Sequence, residues 1–487
     1  MPVNRQDMNR QGINRQGAKI GKDAKAEAGP GLERQVLQLT VTGLTFRGHG
    51  IARTAEGQVV FVPYAAPGDV VRARIVESRG DYLRGAIERV EGASPDRVNP
   101  PCPHFGRCGG CQWLHVRDEA QRHWKAEILR DQLGRLGGLR DVPIAPLVRP
   151  TGGLGYRTRA QLQVREAEGW TQFGFFAPAS HRVVPVGTCP LLHPMLNEVL
   201  EGLAAQRTPP LGRLVPGLRE VWLLASPRSG QSLLTLVGRR AERASLRHLF
   251  FVMRERVPHL TGLVLMGAGG ADRSQAGRAE AAPRFLDRFG EGHLTMQAGA
   301  HRLRVDAGAF FQPSEAAAEA LIASVLELAA PEGGERVVDL YCGVGTFAVP
   351  LAARAARVVG VEGNPRAARD AEFNLQAAGA GGKARVLCTS VSRAAASRAW
   401  GDGADVVVVD PPRQGLEGAV LDGVAGLQPR RIVYVSCDPS TLARDLKAFA
   451  RHGYTITQVR PFDLFPQTYH IESVSLLEWA DPPPTRG

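Results

Sequence analysis

The spacing of apolar positions along this chain changes character from one stretch to the next. Between Gln35 and about Val90, β-branched and alternating runs (Val36 to Val41, Val59 to Val62, Val70 to Val76, Leu83 to Ile87) are separated by Gly, Asp and Pro. That spacing predicts a small β-barrel over 35–91. From Glu315 onward strand and helix periods alternate. Strands are expected at Arg336–Leu340, Val358–Val361, Ala384–Cys388, Ala404–Val409 and Arg431–Val435. Helices are expected at Ala316–Leu328, Thr346–Arg354, Arg366–Ala378, Leu416–Leu427 and Ser440–Phe449. Such alternation predicts an α/β fold over 306–487, a doubly wound parallel sheet. The region 92–305 mixes both periods as a central α+β domain, with a glycine-rich surface loop at Gly267 to Ala281. The first 34 residues repeat VNRQD, MNRQG, INRQG and hold too little apolar content for a core, so a disordered basic extension is expected there.

Composition narrows the function classes. A length of 487 residues exceeds what one core usually holds, and 44% hydrophobic with 22% charged content describes a soluble globular protein. No apolar run reaches membrane-spanning length, and the first residues carry no apolar signal core, so a cytoplasmic location with reduced thiols is expected, with no membrane and no obligate protein partner. Sixty Lys and Arg against 48 Asp and Glu leave +12, of which only +3 falls in the first 34 residues. A basic body favours a polyanion such as RNA. On the barrel, Phe46, Arg47, His49, Phe61, Tyr64, Arg79, Tyr82 and Arg84 either form a face for unstacked bases or fill the barrel with their rings.

Two short segments near the C-terminus carry candidate chemistry. In VSCDP (435–439) Cys437 ends an apolar strand and precedes a helix, where a helix N-terminus favours a thiolate. In YHIES (469–473) Glu472 offers a proton acceptor. A buried structural cysteine and a surface glutamate are the bland alternative. The strand before Asp339-Leu340-Tyr341-Cys342-Gly343-Val344-Gly345-Thr346 leads into a glycine turn, and the next strand ends in Glu362, the arrangement of a nucleoside-cofactor site lacking the third glycine of a dinucleotide fingerprint. Asp410-Pro411-Pro412-Arg413 closes another strand; its prolines fix the backbone and aim Asp410 into the crevice, with Arg413 available for a phosphate.

Of seven cysteines, Cys102, Cys108 and Cys111 lie in CPHFGRCGGC and Cys189 in GTCPLLHP. Three closely spaced thiols completed by a remote fourth suit a 4Fe-4S iron–sulfur cluster better than zinc, which prefers paired knuckles. The central domain is therefore expected to hold that cluster.

Taken together, CPHFGRCGGCQW with Cys189, GYRTRAQLQV (155–164), FFQ (310–312), DLYCGVGTF, DPPR, VSCDPSTLARDL and HIESV closely resemble the RNA uracil-5-methyltransferase family, in its branch with an N-terminal TRAM barrel and an iron–sulfur cluster that modifies 23S ribosomal RNA. The resemblance runs from about Gln35 to Trp479. It implies S-adenosylmethionine as methyl donor, Cys437 as nucleophile and Glu472 as base. It further implies a cofactor and base pocket lined by Gln312, Tyr341, Gly343, Gly345, Thr346, Glu362 and Asp410, with Tyr156, Arg157 and Arg159 facing RNA. Many relatives have Asn at Thr346, and Val-Asn where this chain has Pro313-Ser314. The chemistry needs these groups, because carbon 5 of uracil becomes nucleophilic only after a thiolate adds to carbon 6, and its proton must leave before the thiolate can. Methylation of a tRNA uridine, and a non-catalytic RNA-binding iron–sulfur protein, are the alternatives.

Overall fold

The computed structural model describes residues 35–167, 170–206, 211–267 and 283–479. The expected basic extension and nearly all of the glycine-rich loop lie outside the described residues. The chain divides into two compact units. One takes the residues up to Ile128 with Phe175–Val184 and Gln467–Tyr469; the other takes Leu129–Gly174, Pro185–Pro466 and the residues from His470 on.

In the first unit, β1 (Val36–Thr40), β2 (Gly43–Leu44), β3 (His49–Arg53), β4 (Val59–Pro63), β5 (Val70–Arg79) and β6 (Tyr82–Gly92) form one sheet in the order β1-β5-β6-β4-β3-β2. Only two residues separate β1 from β2, yet they occupy opposite edges, so the sheet must curl to bring its edges together. Its interior is small and aliphatic: Leu39, Val41, Ala52, Val60, Val62, Val71, Ala73, Ile75 and Leu83. The aromatic residues do not fill it. Phe46, Phe61, Tyr64 and Tyr82 are each half-buried on the outside, with Phe61 and Tyr82 5.3 Å apart and Arg84 opposite Phe61 across β4–β6. Asp69, wholly buried, binds the segment after the barrel: it accepts from Arg97 at 2.6 Å, from the Ala66 N–H at 2.6 Å and from the Ser94 N–H at 2.9 Å.

Helix α1 (Asp118–Gln132) follows. A mixed sheet is then built from β7 (Arg159–Ala167), β8 (Trp170–Phe176), β9 (Val183–Pro185), β10 (Glu220–Ser226), β11 (Gln231–Gly238), β12 (Leu260–Gly267) and β13 (Arg284–Gly290), ordered β13-β12-β11-β10-β7-β8-β9. Helices α2 (Pro194–Ala204) and α3 (Arg243–Arg256) belong to this region, α3 making the crossover between parallel β11 and β12. The hairpin β14 (His293–Ala298) and β15 (His301–Asp306) leads to α4 (Glu315–Ala329), capped by Ser314, whose hydroxyl accepts from the Ala317 N–H.

The last sheet contains β16 (Arg336–Leu340), β17 (Arg357–Glu362), β18 (Ala384–Cys388), β19 (Val406–Val409), β20 (Arg431–Ser436), β21 (Tyr454–Phe462) and β22 (Glu472–Trp479), in the order β18-β17-β16-β19-β20-β22-β21. Helices α5 (Ala348–Ala352), α6 (Pro365–Ala377), α7 (Val391–Ser397), α8 (Gly418–Gly426) and α9 (Pro439–Arg451) alternate with the strands. Strand residues split by parity between two cores, Val406, Val408, Val433 and Val435 on one face and Val407, Val409, Ile432 and Tyr434 on the other. Cover on both faces explains why these strands read as unbroken apolar runs. The sheet is doubly wound but not wholly parallel: β22 enters between β20 and β21 and is antiparallel to both. A parallel strand there would need a helical crossover, and no helix lies between Phe462 and Glu472.

The expected central iron–sulfur domain is not supported. Cys102, Cys108 and Cys111 belong to the unit of the barrel and Cys189 to the other.

Candidate active site

The carboxyl ends of β16, β17 and β19 converge, because Leu340 is in register with both Val361 and Val409. One residue further along each strand stand Tyr341, Glu362 and Asp410. Order reverses between β16 and β19, where an open sheet leaves a crevice for a ligand.

Glu362 accepts from the Gly343 N–H at 3.0 Å and the Asn364 N–H at 2.6 Å, tying the glycine turn to the second strand. Both glycines have positive φ, 56° at Gly343 and 85° at Gly345, but for different reasons. A Cβ on Gly343 would meet nothing within 4 Å, whereas one on Gly345 would lie 3.2 Å from Val349 and 3.4 Å from the Ala371 backbone. Gly343 faces open space and Gly345 is pressed against its helices. Thr346 is buried. Tyr341 has its ring packed with the core that contains Tyr434 and Leu416, where burial first, then the charges of Glu417 and Asp445, push its hydroxyl up to about 12. Its backbone, at φ 63°, shapes the turn. Gln312 is buried just before α4. Next to it the Pro313 carbonyl accepts from the Thr158 N–H at 2.9 Å, so the Pro-Ser pair is used to anchor and cap. The Arg159 guanidinium lies 5.3 Å from the half-exposed Phe310 ring and donates to the Ala309 carbonyl.

Cys437 follows the last residue of β20, and Glu472 opens β22. Asp438 caps α9, accepting from the Ser440 and Thr441 N–H groups. The thiol is not lowered by that helix end. Burial, then the charge of Glu472, push it well above the usual thiol range, with Arg413 pulling the other way. Glu472, 5% exposed, is likewise raised by burial and by the charge of Asp410, again opposed by Arg413. Asp410 is pushed up to about 7 by burial and then by Glu362. Arg413 therefore serves more than the phosphate contact that its sequence position suggested: it is the cation felt by both Cys437 and Glu472. Its Nη2 lies 3.1 Å from His470 Nδ1, and Thr441 Oγ1 donates to its carbonyl at 3.0 Å. The partnership with His470 left no signal in spacing.

The four cysteines of the expected cluster do not form a visible ligand set: among the described residues no group of three or more His, Cys, Asp or Glu side chains is placed to hold a metal ion. Close spacing in sequence brings Cys108 and Cys111 beside Tyr64, whose hydroxyl is raised by burial and then by both thiols. Cys189 belongs to the other unit. No described helix is long and apolar enough to cross a membrane.

Comparison with known proteins agrees with this geometry. The TRAM domain family matches residues 30–87, the TRM5/TYW2 methyltransferase domain 297–401 and the tRNA (Uracil-5-)-methyltransferase family 402–480. An uncharacterized RNA methyltransferase of Gloeobacter violaceus is 34% identical over 93% of this chain and 98% of its own. The 23S rRNA (uracil(1939)-C(5))-methyltransferase of Alkalilimnicola ehrlichii is 34% identical over 92% of this chain and 97% of its own. The fold is shared with the Pyrococcus abyssi tRNA (uracil-54, C5)-methyltransferase, solved with S-adenosyl-L-homocysteine, at TM-score 0.69 and 23% identity over 91% of this chain and 100% of that one. The chain belongs to the RNA uracil-5-methyltransferase family.

Proposed function

We propose that this enzyme methylates carbon 5 of a uridine in 23S ribosomal RNA through a covalent adduct between Cys437 and the base, resolved by Glu472. The observation that carries the reading is the pairing of Ser436 with Ser473, which leaves Cys437 and Glu472 as opposed positions at the end of β20 and β22. Support for the RNA class comes from the 23S rRNA enzyme of Alkalilimnicola ehrlichii; the family match over 402–480 favours a tRNA uridine as the second reading.

The residues fit the donor as well as the base. Open space at Gly343, with Glu362 bonded to its amide, leaves room for S-adenosylmethionine, and Glu362 and Asp410 are placed to accept from its hydroxyl and amino groups. S-adenosylmethionine supplies an electrophilic methyl group. The Cys437 thiolate adds to carbon 6, and the electrons of the 5,6 double bond move toward carbon 5 and the 4-carbonyl. Carbon 5 forms its bond to the methyl group as the bond from methyl to sulfonium sulfur breaks. The Glu472 carboxylate then takes the carbon-5 proton, the double bond re-forms and the thiolate departs. Arg413 stabilises the thiolate at the start and at the end of this cycle.

The barrel supports RNA capture: Phe61 and Tyr82 lie outside it, and the Arg84 and Arg47 charges surround His49, which burial first and those charges next lower to about 4. No step is drawn through a 4Fe-4S cluster, which rests on the sequence spacing of Cys102, Cys108, Cys111 and Cys189. About four irons per chain after anaerobic purification is the result it requires.

Cys437→Ala should abolish methylation and leave RNA binding intact. Retained methylation overturns the mechanism. Mapping 5-methyluridine in ribosomal and transfer RNA from a deletion strain decides the target: loss from tRNA alone replaces 23S rRNA with the second reading.

A further inference from the structure

Within the connection from β21 to β22, Gln467–Tyr469 belong to the first unit, while the residues before and after them belong to the second. Gln467 is 6% exposed and has a φ of 68°, a left-handed conformation that costs a residue with a Cβ about 1 kcal/mol. Its contacts hold it there. Its backbone N–H donates to Gln121 Oε1 at 2.9 Å, and its side-chain Oε1 accepts from Gln121 Nε2 at 2.8 Å. Its Nε2 donates to Asp118 Oδ1 at 3.1 Å. Its carbonyl accepts from the Gln112 and Trp113 N–H groups at 3.2 and 3.0 Å.

Gln121 is 1% exposed, and its Nε2 also reaches the Trp113 and Val116 carbonyls. Two residues beyond Gln467, the Tyr469 ring meets Phe46 edge-on at 5.9 Å. An amide that gives and takes a bond with one and the same residue fixes that residue's identity and its register, because a carboxylate lacks the donor and an ammonium lacks the acceptor. His470 is the next residue after Tyr469, and Glu472 comes two later. An extended residue spans only about 3.5 Å, so a shift at Gln467 cannot be absorbed before the carboxylate.

We infer that Gln121 and Gln467 form a clasp whose task is to position Glu472 for proton removal. The inference rests on the roles given to Cys437 and Glu472 above. A misplacement of about 1 Å costs a reacting group on the order of a hundredfold in rate. Addition and methyl transfer depend on Cys437 and the donor, so loosening the clasp slows the last step selectively and methylated adduct accumulates.

The test is Gln121→Ala in the full chain, with ordinary uridine RNA and S-adenosylmethionine. The expected result is a fall in kcat of at least about tenfold, KM for RNA within about twofold, and a denaturant-resistant enzyme–RNA band whose uridine already carries the methyl group. Unchanged turnover, or a raised KM with kcat preserved and no band, overturns the clasp. Should Gln121→Ala not fold, Gln467→Gly carries the same test, because glycine accepts the left-handed backbone and lacks the amide. Wild-type enzyme with RNA containing 5-fluorouridine keeps the two readings apart. Its fluorine cannot leave as a proton does, so a stable adduct must form if Cys437 acts as described, whatever the clasp does.

Discussion

Cys437 and Glu472 stand opposite one another at the end of an antiparallel ladder whose last pair is Ser436 with Ser473. Nucleophile and base come from neighbouring strands of one sheet. Their separation is therefore set by backbone hydrogen bonds, and each group's charge is felt by its neighbour.

Glu472→Gln is expected to keep the thiol addition and methyl transfer and to lose proton removal. Turnover should fall by about 10²–10⁴-fold, with methylated enzyme–RNA adduct appearing on denaturing gels. Normal turnover would remove Glu472 from its role.

The pH dependence follows from the raised groups. Cys437 and Glu472 act as thiolate and carboxylate, and both are held protonated to higher pH than usual. The rate should therefore rise with pH through neutrality. Arg413 lowers both, so Arg413→Met should move the rising limb to higher pH, as read from kcat/KM profiles. A limb that stays in place would show that the Arg413 charge does not reach them.

The two glycines should separate in their effects. Gly343→Ala and Gly345→Ala each cost about 1–2 kcal/mol for a left-handed backbone, but only Gly345→Ala also pushes on Val349 and Ala371. Calorimetry with S-adenosyl-L-homocysteine should show the larger loss of affinity for Gly343→Ala, and thermal melting the larger loss of stability for Gly345→Ala.

Asp69→Ala strands Arg97, and should destabilise the barrel by about 3 kcal/mol in urea titrations. Burial opposes ionisation of Asp69, yet the Arg97 hydrogen bond, with those of the Ser94 and Ala66 N–H groups, holds its carboxyl below the ordinary value. A lowered folded value means that this stabilisation is complete above about pH 4 and is lost as pH falls through the folded value.

Much of the methyltransferase sheet was legible because both of its faces are covered. The run Val406–Val409 needs no periodicity to announce a strand. The motif residues were legible for a different reason: they stand at strand ends, where turn chemistry restricts the residue types. The antiparallel β21 and β22 were not, since a strand's direction is set by its connection and not by its apolar pattern. Nor was the outward placement of Tyr341's ring, because a residue at a turn with positive φ sends its side chain to a face that strand alternation does not predict. Barrel aromatics posed a choice that only packing could resolve, with small aliphatics filling the inside. The cysteine spacing spoke for a shared metal, but spacing along the chain does not report which unit a distant residue joins.

Strand β22 also has a consequence for biogenesis. On the ribosome β20 is made before it, and until β22 arrives one side of β20 offers open backbone donors and acceptors next to Cys437. A nascent chain halted between them exposes a sticky, apolar edge and cannot complete a turnover, so synthesis itself keeps the thiol idle until its proton acceptor has been delivered.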